Sequence, residues 1–320
     1  MSYLFGPVPS RRLGFSLGID AIPFKTCSFN CIYCELGRTT HLSIKPRAYV
    51  DASQILKELE AFFEKEHPPV DYITIGGSGE PTLNTHIGEI ISEAKKLDIA
   101  PVAVLTNGSL LWEEKIASRI LEADVVLPSL DTARQETFHR LNRPHPGLNI
   151  DKIIKGLKDF KRNFLGKFWL EVLFVRGIND KISEIHALKQ VLDEINPDYI
   201  HLNTVVRPPS EKIAHCLSKE ELIKIQESLG PKAKIIADFK GEMEKEFLID
   251  IKEKVLDMLG RRPCTLEDIV HSSGIHVQEG IKLLQDLIQT GKVSYQVHEK
   301  RGFYKKVQER KHGKSTPSWH

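Results

Sequence analysis

Apolar residues recur along the chain in short alternating runs separated by stretches of helical period. Residues 16–22, Ser-Leu-Gly-Ile-Asp-Ala-Ile, alternate loosely and read as a first strand. Asp51 is placed to cap a helix whose Ile55, Leu59 and Phe62 share one face, and Pro68-Pro69 ends that region. A strand over 70–75 follows, then a glycine turn from Gly76 to Gly79, then a helix that Asn84 should cap, carrying Ile87, Ile90, Ile91 and Ala94. The alternation continues with strands at 102–105, 125–127, 168–175 and 199–202. Helices are expected through Ile116, Ile120 and Leu121, over about 133–141 and 150–163 on either side of Asn142–Gly147, and over 181–194. Residues 235–237 would close the series.

Strands separated by helices of this length pair in parallel through right-handed crossovers. Six β/α units are too few for a closed eight-fold barrel, so the fold class is α/β with a partial (β/α)6 parallel barrel. Near residue 245 the pattern changes. Leu248, Ile251, Val255 and Leu259 give one helix, Thr265 with Asp268 starts a second in capping-box style, and Val277, Ile281, Leu284 and Ile288 give a third that ends at Gly291. Val293, Tyr295 and Val297 alternate, His298–Gly302 turns, and Phe303-Tyr304 returns. Three helices and a hairpin form a winged-helix layout. The domains expected are a barrel over 1–243, a winged-helix-like domain over 244–307, and a basic, disordered tail over 308–320.

Composition narrows the class without choosing a partner. The 320 residues are 41% hydrophobic and 28% charged, with a formal net charge of +2, ordinary for a globular protein. No 18-residue apolar run suggests a membrane span, and Met1–Pro7 lacks the pattern of a signal peptide. Five cysteines, three of them clustered, suit a reducing cytoplasm better than a disulfide scaffold. Cys216 and Cys264 read as structural thiols.

The clustered three change the picture most. Cys27, Cys31 and Cys34 stand as C-x3-C-x2-C. Three thiolates in one loop converge on one metal centre, and an odd number cannot all pair as disulfides. On a [4Fe–4S] cube they leave one iron without a protein ligand, open to a substrate or cofactor. A zinc site is the alternative, and it wants a fourth ligand, for which His41 is the nearby candidate. In a parallel α/β barrel the chemistry lies at the C-terminal ends of strands, where this loop belongs. The same ends carry Gly77, Gly79 and Glu80 after strand two, Thr106-Asn107-Gly108 after strand three, and Ser129 and Asp131 after strand four. Glycine allows close approach of backbone to a ligand; hydroxyls, amides and carboxylates can bond a ribose or an ammonium. An ordinary strand-to-helix turn is the bland reading of each. Arg11, Arg12 and Arg143 are placed by sequence near that mouth and could grip phosphate or carboxylate; Arg176, Asn179, Asn203, Thr204 and Arg207 end the later strands and could face the substrate or form a solvated loop. His139, His145 and His201 read as structural.

The cysteine motif, with Tyr33 before its last cysteine, resembles the cluster motif of the radical S-adenosylmethionine (radical SAM) superfamily. The approach Gly6-Pro-Val-Pro-Ser-Arg-Arg-Leu-Gly14 and the stretch Ile22–Thr26 are similar to a group within it related to the archaeal-type wyosine tRNA synthases. The resemblance covers about residues 1–240. It implies a [4Fe–4S] cluster on Cys27, Cys31 and Cys34, and S-adenosylmethionine (SAM) chelated by the open iron. SAM would be broken reductively to methionine and a 5′-deoxyadenosyl radical, with an electron donor of ferredoxin or flavodoxin type. It further implies that Gly77, Gly79 and Glu80 hold the methionine amino group, that Thr106, Asn107, Ser129 and Asp131 touch the ribose and carboxylate, and that Tyr33 lies against the adenine.

For the substrate, RNA is favoured by the tRNA-modifying relatives and the winged-helix tail. Wyosine synthases carry further upstream cysteines for a second cluster, and no cysteine precedes Cys27 here, which speaks against a two-cluster reaction. A peptide or protein is the second class, since winged-helix modules also bind peptide leaders. The third tail helix exposes Gln278, Glu279, Lys282, Gln285, Asp286 and Gln289, which is not a cationic face, whereas the segment 291–314 is basic. A redox-sensing regulator that binds nucleic acid is the non-enzyme alternative.

Overall fold

The computed structural model describes residues 3–65, 67–237, 252, 255, 256, 258–260, 262–273, 277–298 and 301–307. The chain divides into two compact units, Met1–Lys65 with Val70–Gly241, and Glu66–Pro69 with Glu242–His320.

In the first unit β1 (Leu4–Ser10) and β2 (Gly14–Asp20) form a hairpin. Two-residue strands β3 (Thr26–Cys27) and β4 (His41–Leu42) flank the cysteine loop. Then come α1 (Ala52–Phe63), β5 (Tyr72–Gly76), α2 (Ile87–Lys96), β6 (Val102–Thr106), the short α3 (Glu114–Ala117), β7 (Val125–Pro128), α4 (Gln135–Asn142), α5 (Ile150–Asn163), β8 (Lys167–Phe174), α6 (Ile182–Ile195), β9 (Tyr199–Thr204), α7 (Lys219–Leu229) and β10 (Ala233–Ile235). They build an eight-stranded sheet in the order β1-β2-β5-β6-β7-β8-β9-β10. All neighbouring pairs are parallel except β1 with β2. The two end strands do not pair with each other, so the sheet stays open, as the count of β/α units led one to expect.

Period-two alternation sorts the strand side chains. On β6, Val102 and Val104 join the large apolar cluster shared with the helices, while Ala103 and Leu105 join a smaller cluster with Leu13, Val125, Leu127 and Trp169. Both faces are therefore buried, which is why these strands read as continuous apolar runs. The helices contribute one stripe each: Ala52, Ile55 and Leu59 from α1, and Ile150, Ile153, Ile154, Leu157 and Phe160 from α5. Asp51 caps α1 as expected, its side chain accepting from the Ser53 N–H at 3.0 Å.

Three expectations need correction. β1 was not foreseen, because Gly6, Pro7 and Pro9 are poor strand residues; they are tolerated at a sheet edge, where one side needs no partner. Helix α7 was also missed, although Ser218 and Glu221 make a full capping box and Leu222, Ile225 and Leu229 are buried at helical spacing. Asn84 does not cap α2 directly. It is fully buried, donates to the carbonyls of Ala21 (3.0 Å) and Val50 (3.1 Å), and accepts from the His86 N–H at 3.1 Å.

In the second unit the described positions between 252 and 260 are helical. They are followed by α8 (Leu266–Ser273), α9 (Val277–Gln289) and a hairpin of β11 (Val293–His298) with β12 (Arg301–Lys306). Thr265 and Asp268 exchange hydrogen bonds, the Thr265 N–H to Asp268 Oδ2 at 2.9 Å and the Asp268 N–H to Thr265 Oγ1 at 3.2 Å. Val255, Leu259, Cys264, Ile269, Leu284, Leu287, Val293 and Tyr304 form this unit's own apolar cluster. Cys264 is buried there as a structural thiol, whereas Cys216 is exposed, against expectation. Leu248, Ile251, Gly274, Glu299, Lys300 and the whole tail from 308 lie outside the described residues. Among the described residues no helix is long and apolar enough to cross a membrane.

Replacing Asn84 by Ala strands the Ala21 carbonyl and the His86 N–H and leaves the Val50 carbonyl with only the His86 ring nitrogen, 3.1 Å away. Each group left unsatisfied costs about 1–3 kcal/mol, so Asn84→Ala should lower the urea midpoint at unchanged m. An unaltered midpoint would show that water replaces the amide.

Candidate active site

Between β2 and α1 the chain has almost no regular structure, so its backbone groups need outside partners. The Lys25 N–H donates to the Ser78 carbonyl (2.7 Å) and the Glu80 N–H to the Thr26 carbonyl (3.0 Å), tying the glycine turn after β5 to the start of the cysteine loop. Gly79 is required by this contact: a Cβ there would stand 1.9 Å from the Thr26 carbonyl oxygen. Further on, the Asn30 and Ile32 N–H groups donate to the carbonyls of Asn142 (2.9 Å) and Leu141 (3.0 Å). These are carbonyls that the end of α4 leaves without helical partners.

Held in this way, Cys27, Cys31 and Cys34 line one cavity of about 290 Å³. The same cavity is lined by Tyr33, Gly77, Gly79, Arg11, Arg12, Asn203, Thr204 and Arg207. Arg11 and Arg12 sit in the β1–β2 turn, at the opposite end of β2 from the cysteines, and reach the cavity through their long side chains. Arg12 pairs with Glu171 of β8, and Asn203 donates to the other Glu171 oxygen at 2.8 Å. Burial, followed by the Arg11 charge, lowers the Arg12 pKa to about 10. Arg207 pairs with Glu35 at 2.6 Å near the cysteines.

The remaining expected contacts do not line this cavity. Glu80 is buried beneath the loop. Its Oε1 accepts from the Thr82 N–H (3.1 Å), Thr82 Oγ1 (2.5 Å) and Thr106 Oγ1 (2.6 Å), and its Oε2 from the Asn107 N–H (2.7 Å). Desolvation raises its pKa, and these four donors oppose the rise. Asn107, Ser129 and Asp131 line a second void of about 10 Å³ on the far side of Phe29, which borders both; that is room for about one water. Asp131 accepts from Tyr33 Oη, from Asn142 Nδ2 (2.7 Å) and from the Leu173 N–H (2.9 Å), and burial raises its pKa. Tyr33 is raised well above its ordinary value, first by desolvation and then by the Asp131 charge. Arg143 turns away to Glu211 (2.8 Å), Arg176 to Glu221 (2.6 Å), and Asn179 is buried against the Asp131 and Leu173 carbonyls. His201 is packed among Trp169 and Tyr199, and burial lowers its pKa to about 4.

Sequence reasoning singled out Asn107, as a SAM contact, but missed the other side chains that touch the sulfurs. Asn107 Nδ2 lies 3.5 Å from Cys27 Sγ, Asn142 Nδ2 3.5 Å from Cys31 Sγ, and Lys25 Nζ 3.4 Å from Cys34 Sγ. Asn142 was read only as the start of the interruption between two helices, and Lys25 was noted only as part of the stretch Ile22–Thr26, with no role of its own. Burial, then Glu80, pushes the Cys27 thiol up to about 12; burial, then Asp131, pushes Cys31 up too. Thiols in such a place ionise when a metal cation supplies the compensating charge, so the donor set fits an iron–sulfur cluster. No group of three or more His, Cys, Asp or Glu is gathered to hold a single metal ion among the described residues, and His41 is exposed and apart from the cavity.

The chain matches the Radical SAM superfamily over residues 21–188. It is 33% identical over 327 residues to a UPF0026 protein of Methanocaldococcus jannaschii, covering 99% of this chain and 100% of that protein. It is 37% identical over 302 residues to a Brachyspira hyodysenteriae protein named GTPase Obg, covering 92% of this chain but 44% of that one, so it spans less than half of that relative. Among solved structures, that of TYW1 with a lysine-pyruvate adduct bound superposes with a TM-score of 0.52 at 17% identity, covering 67% of this chain and 72% of that one. The chain belongs to the radical SAM superfamily, whose members bind a [4Fe–4S] cluster and SAM.

Glu80→Ala would leave four donors under the loop without their acceptor, at roughly 1–3 kcal/mol for each one that stays dry. The variant should therefore lose thermal stability without any cofactor present, and Glu80→Gln, which keeps an acceptor oxygen, should lose less. Parent-like melting of Glu80→Ala would return Glu80 to the role of a ligand contact.

Proposed function

We propose that this chain is a radical SAM enzyme in which Cys27, Cys31 and Cys34 hold a [4Fe–4S] cluster and the cavity beside them receives SAM. The observation that carries this reading is the shared cavity: the three cysteines and the backbone of the Gly77–Gly79 turn border it together. Held by Cys27, Cys31 and Cys34, the cluster would supply the electron for reductive cleavage of SAM to methionine and a 5′-deoxyadenosyl radical able to take a hydrogen atom from a substrate. The chain's own part is positional. Tyr33, held by Asp131, borders the cavity, and Gly77 and Gly79 let the turn pack closely against Asp20 and the Thr26 carbonyl while it borders the cavity.

The substrate class best supported is RNA. Arg11, Arg12, Lys25 and Arg207 line the cavity against two carboxylates, Glu35 and Glu171. In the second unit, Lys292, Arg301, Lys305 and Lys306 are exposed along the hairpin, whose described residues include no Asp or Glu. We read residues 244–307 as a winged-helix-like module that recruits this polyanion, and 1–243 as the catalytic barrel. The two described helices, the hairpin and their separate apolar cluster support that division. A reducing compartment and a small protein electron donor complete the reading.

Anaerobic reconstitution should load about four irons per chain. Cys27→Ala, Cys31→Ala and Cys34→Ala should each abolish the cluster absorbance, while Cys216→Ala keeps it. With dithionite, the loaded protein should release 5′-deoxyadenosine from SAM. Iron binding that survives loss of any of the three cysteines, or SAM left intact, would sink the assignment.

Binding of full-length protein to cellular RNA should weaken steeply with salt. Each phosphate contact removed, as in Arg301→Ala or Lys305→Ala, should lower the logarithmic salt slope by about 0.7. Salt-independent binding would transfer the assignment to a peptide or protein substrate.

A further inference from the structure

Each cysteine sulfur faces a side-chain N–H donor, and these three donors differ; Cys27 Sγ also faces the Phe29 backbone N–H at 3.5 Å. Cys27 and Cys31 face the neutral amides of Asn107 and Asn142, both at 3.5 Å. Cys34 faces the ammonium of Lys25 at 3.4 Å. Lys25 is 3% exposed. Lysine is almost never so buried unless paired, yet no carboxylate forms an ion pair with it among the described residues. Its side-chain partners are Cys34 Sγ and the Gly37 carbonyl.

The ammonium is also held in place. Lys25 has a left-handed backbone, φ 61°. Its N–H donates to the Ser78 carbonyl at 2.7 Å, and its carbonyl accepts from the N–H groups of Thr40 (3.2 Å) and His41 (3.1 Å). With the main chain fixed on both sides and the Gly37 carbonyl at the tip, the positive charge stays beside the sulfur. A cation there favours whichever cluster state carries more negative charge, and hydrogen bonds to cluster sulfurs and nearby charge are what set iron–sulfur potentials.

We propose that Lys25 is a positioning residue that raises the reduction potential of the cluster from its Cys34 corner, easing electron entry. The proposal rests on the three-cysteine cluster described above. The test uses full-length protein reconstituted with iron and sulfide, its midpoint read from an anaerobic titration followed by electron paramagnetic resonance, with iron content measured alongside.

Lys25→Met and Lys25→Gln should keep their iron and disfavour reduction by about tenfold, a fall of about 59 mV for a one-electron couple. Lys25→Arg, which keeps the charge, should return the midpoint toward that of the parent. Iron-loaded Lys25→Met and Lys25→Gln at the parent midpoint would overturn the proposal. So would loss of iron from all three variants, which would make Lys25 a strut for the loop. Failure of the parent itself to bind iron is a separate outcome, and it counts against the three-cysteine site rather than against Lys25.

Discussion

The site depends on how an irregular loop disposes of its backbone polar groups. From Lys25 to Cys34 the chain cannot satisfy itself, and a buried unpaired N–H or carbonyl is costly. The partners come from four separate places. The β5 turn takes the Lys25 N–H and gives the Glu80 N–H. The segment after β4 gives the Ser43 N–H to the Cys27 carbonyl. The end of α4 receives Asn30 and Ile32, and Ser210 with the Glu211 N–H closes on Cys31 and Ile32. The partners lie in separate segments of the first unit, so the cysteines are aligned where those segments come together. That is a physical reason for building such a centre on the rim of a sheet rather than on a free loop.

Electrostatics reinforce the dependence. Glu80 and Asp131 are buried behind the loop, each beside a cysteine whose thiol they push upward together with desolvation. Without positive charge the region is an unfavourable gathering of acids. Its hydrogen bonds make that gathering tolerable: four donors reach Glu80 and three reach Asp131. The same bonds tie together the ends of β5, β6, β7 and β8. The carboxylates thereby define where the sulfurs stand, and bound metal would meet thiols already facing one cavity, with their nitrogen donors in place.

Much of this was legible in the sequence, for reasons that differ by element. Strands β5 to β9 were readable because burial on both faces writes a plain apolar run. The three cysteines were readable because spacing within one loop survives any fold. Glu80, Thr106, Asn107 and Asp131 were correctly placed at strand ends, but sequence cannot say which way a short polar side chain turns. Glu80, Thr106 and Asn107 turn toward one another, and Asp131 toward Tyr33, Asn142 and Leu173, rather than into the main cavity. The edge strand β1 was hidden by prolines that only an edge accepts. Lys25 was hidden because burial of a lysine leaves no pattern; it follows only from the three-dimensional approach of β3, Gly37 and Ser78.

The arginines around the cavity are not equivalent, and their pairing decides what each can do for an anion. Arg12 and Glu171 are mostly buried, with side-chain exposures of 20% and 13%, and Asn203 fixes the carboxylate from a second side. Removing either partner would leave an uncompensated charge inside the barrel, so this pair behaves as wall. Arg207 and Glu35 are 61% and 50% exposed, and an exposed pair of this kind is worth about 0–1 kcal/mol. Arg207 can therefore exchange Glu35 for an incoming phosphate at little cost. Arg143 shares Glu211 with Arg38, and the Glu211 N–H bonds the cysteine loop at Ile32; its pull is spent on holding that loop. Of Arg12 and Arg207, both ion-paired and both bordering the cavity, Arg207 is thus the one whose present partner is easily displaced, and it borders the cavity together with Cys34.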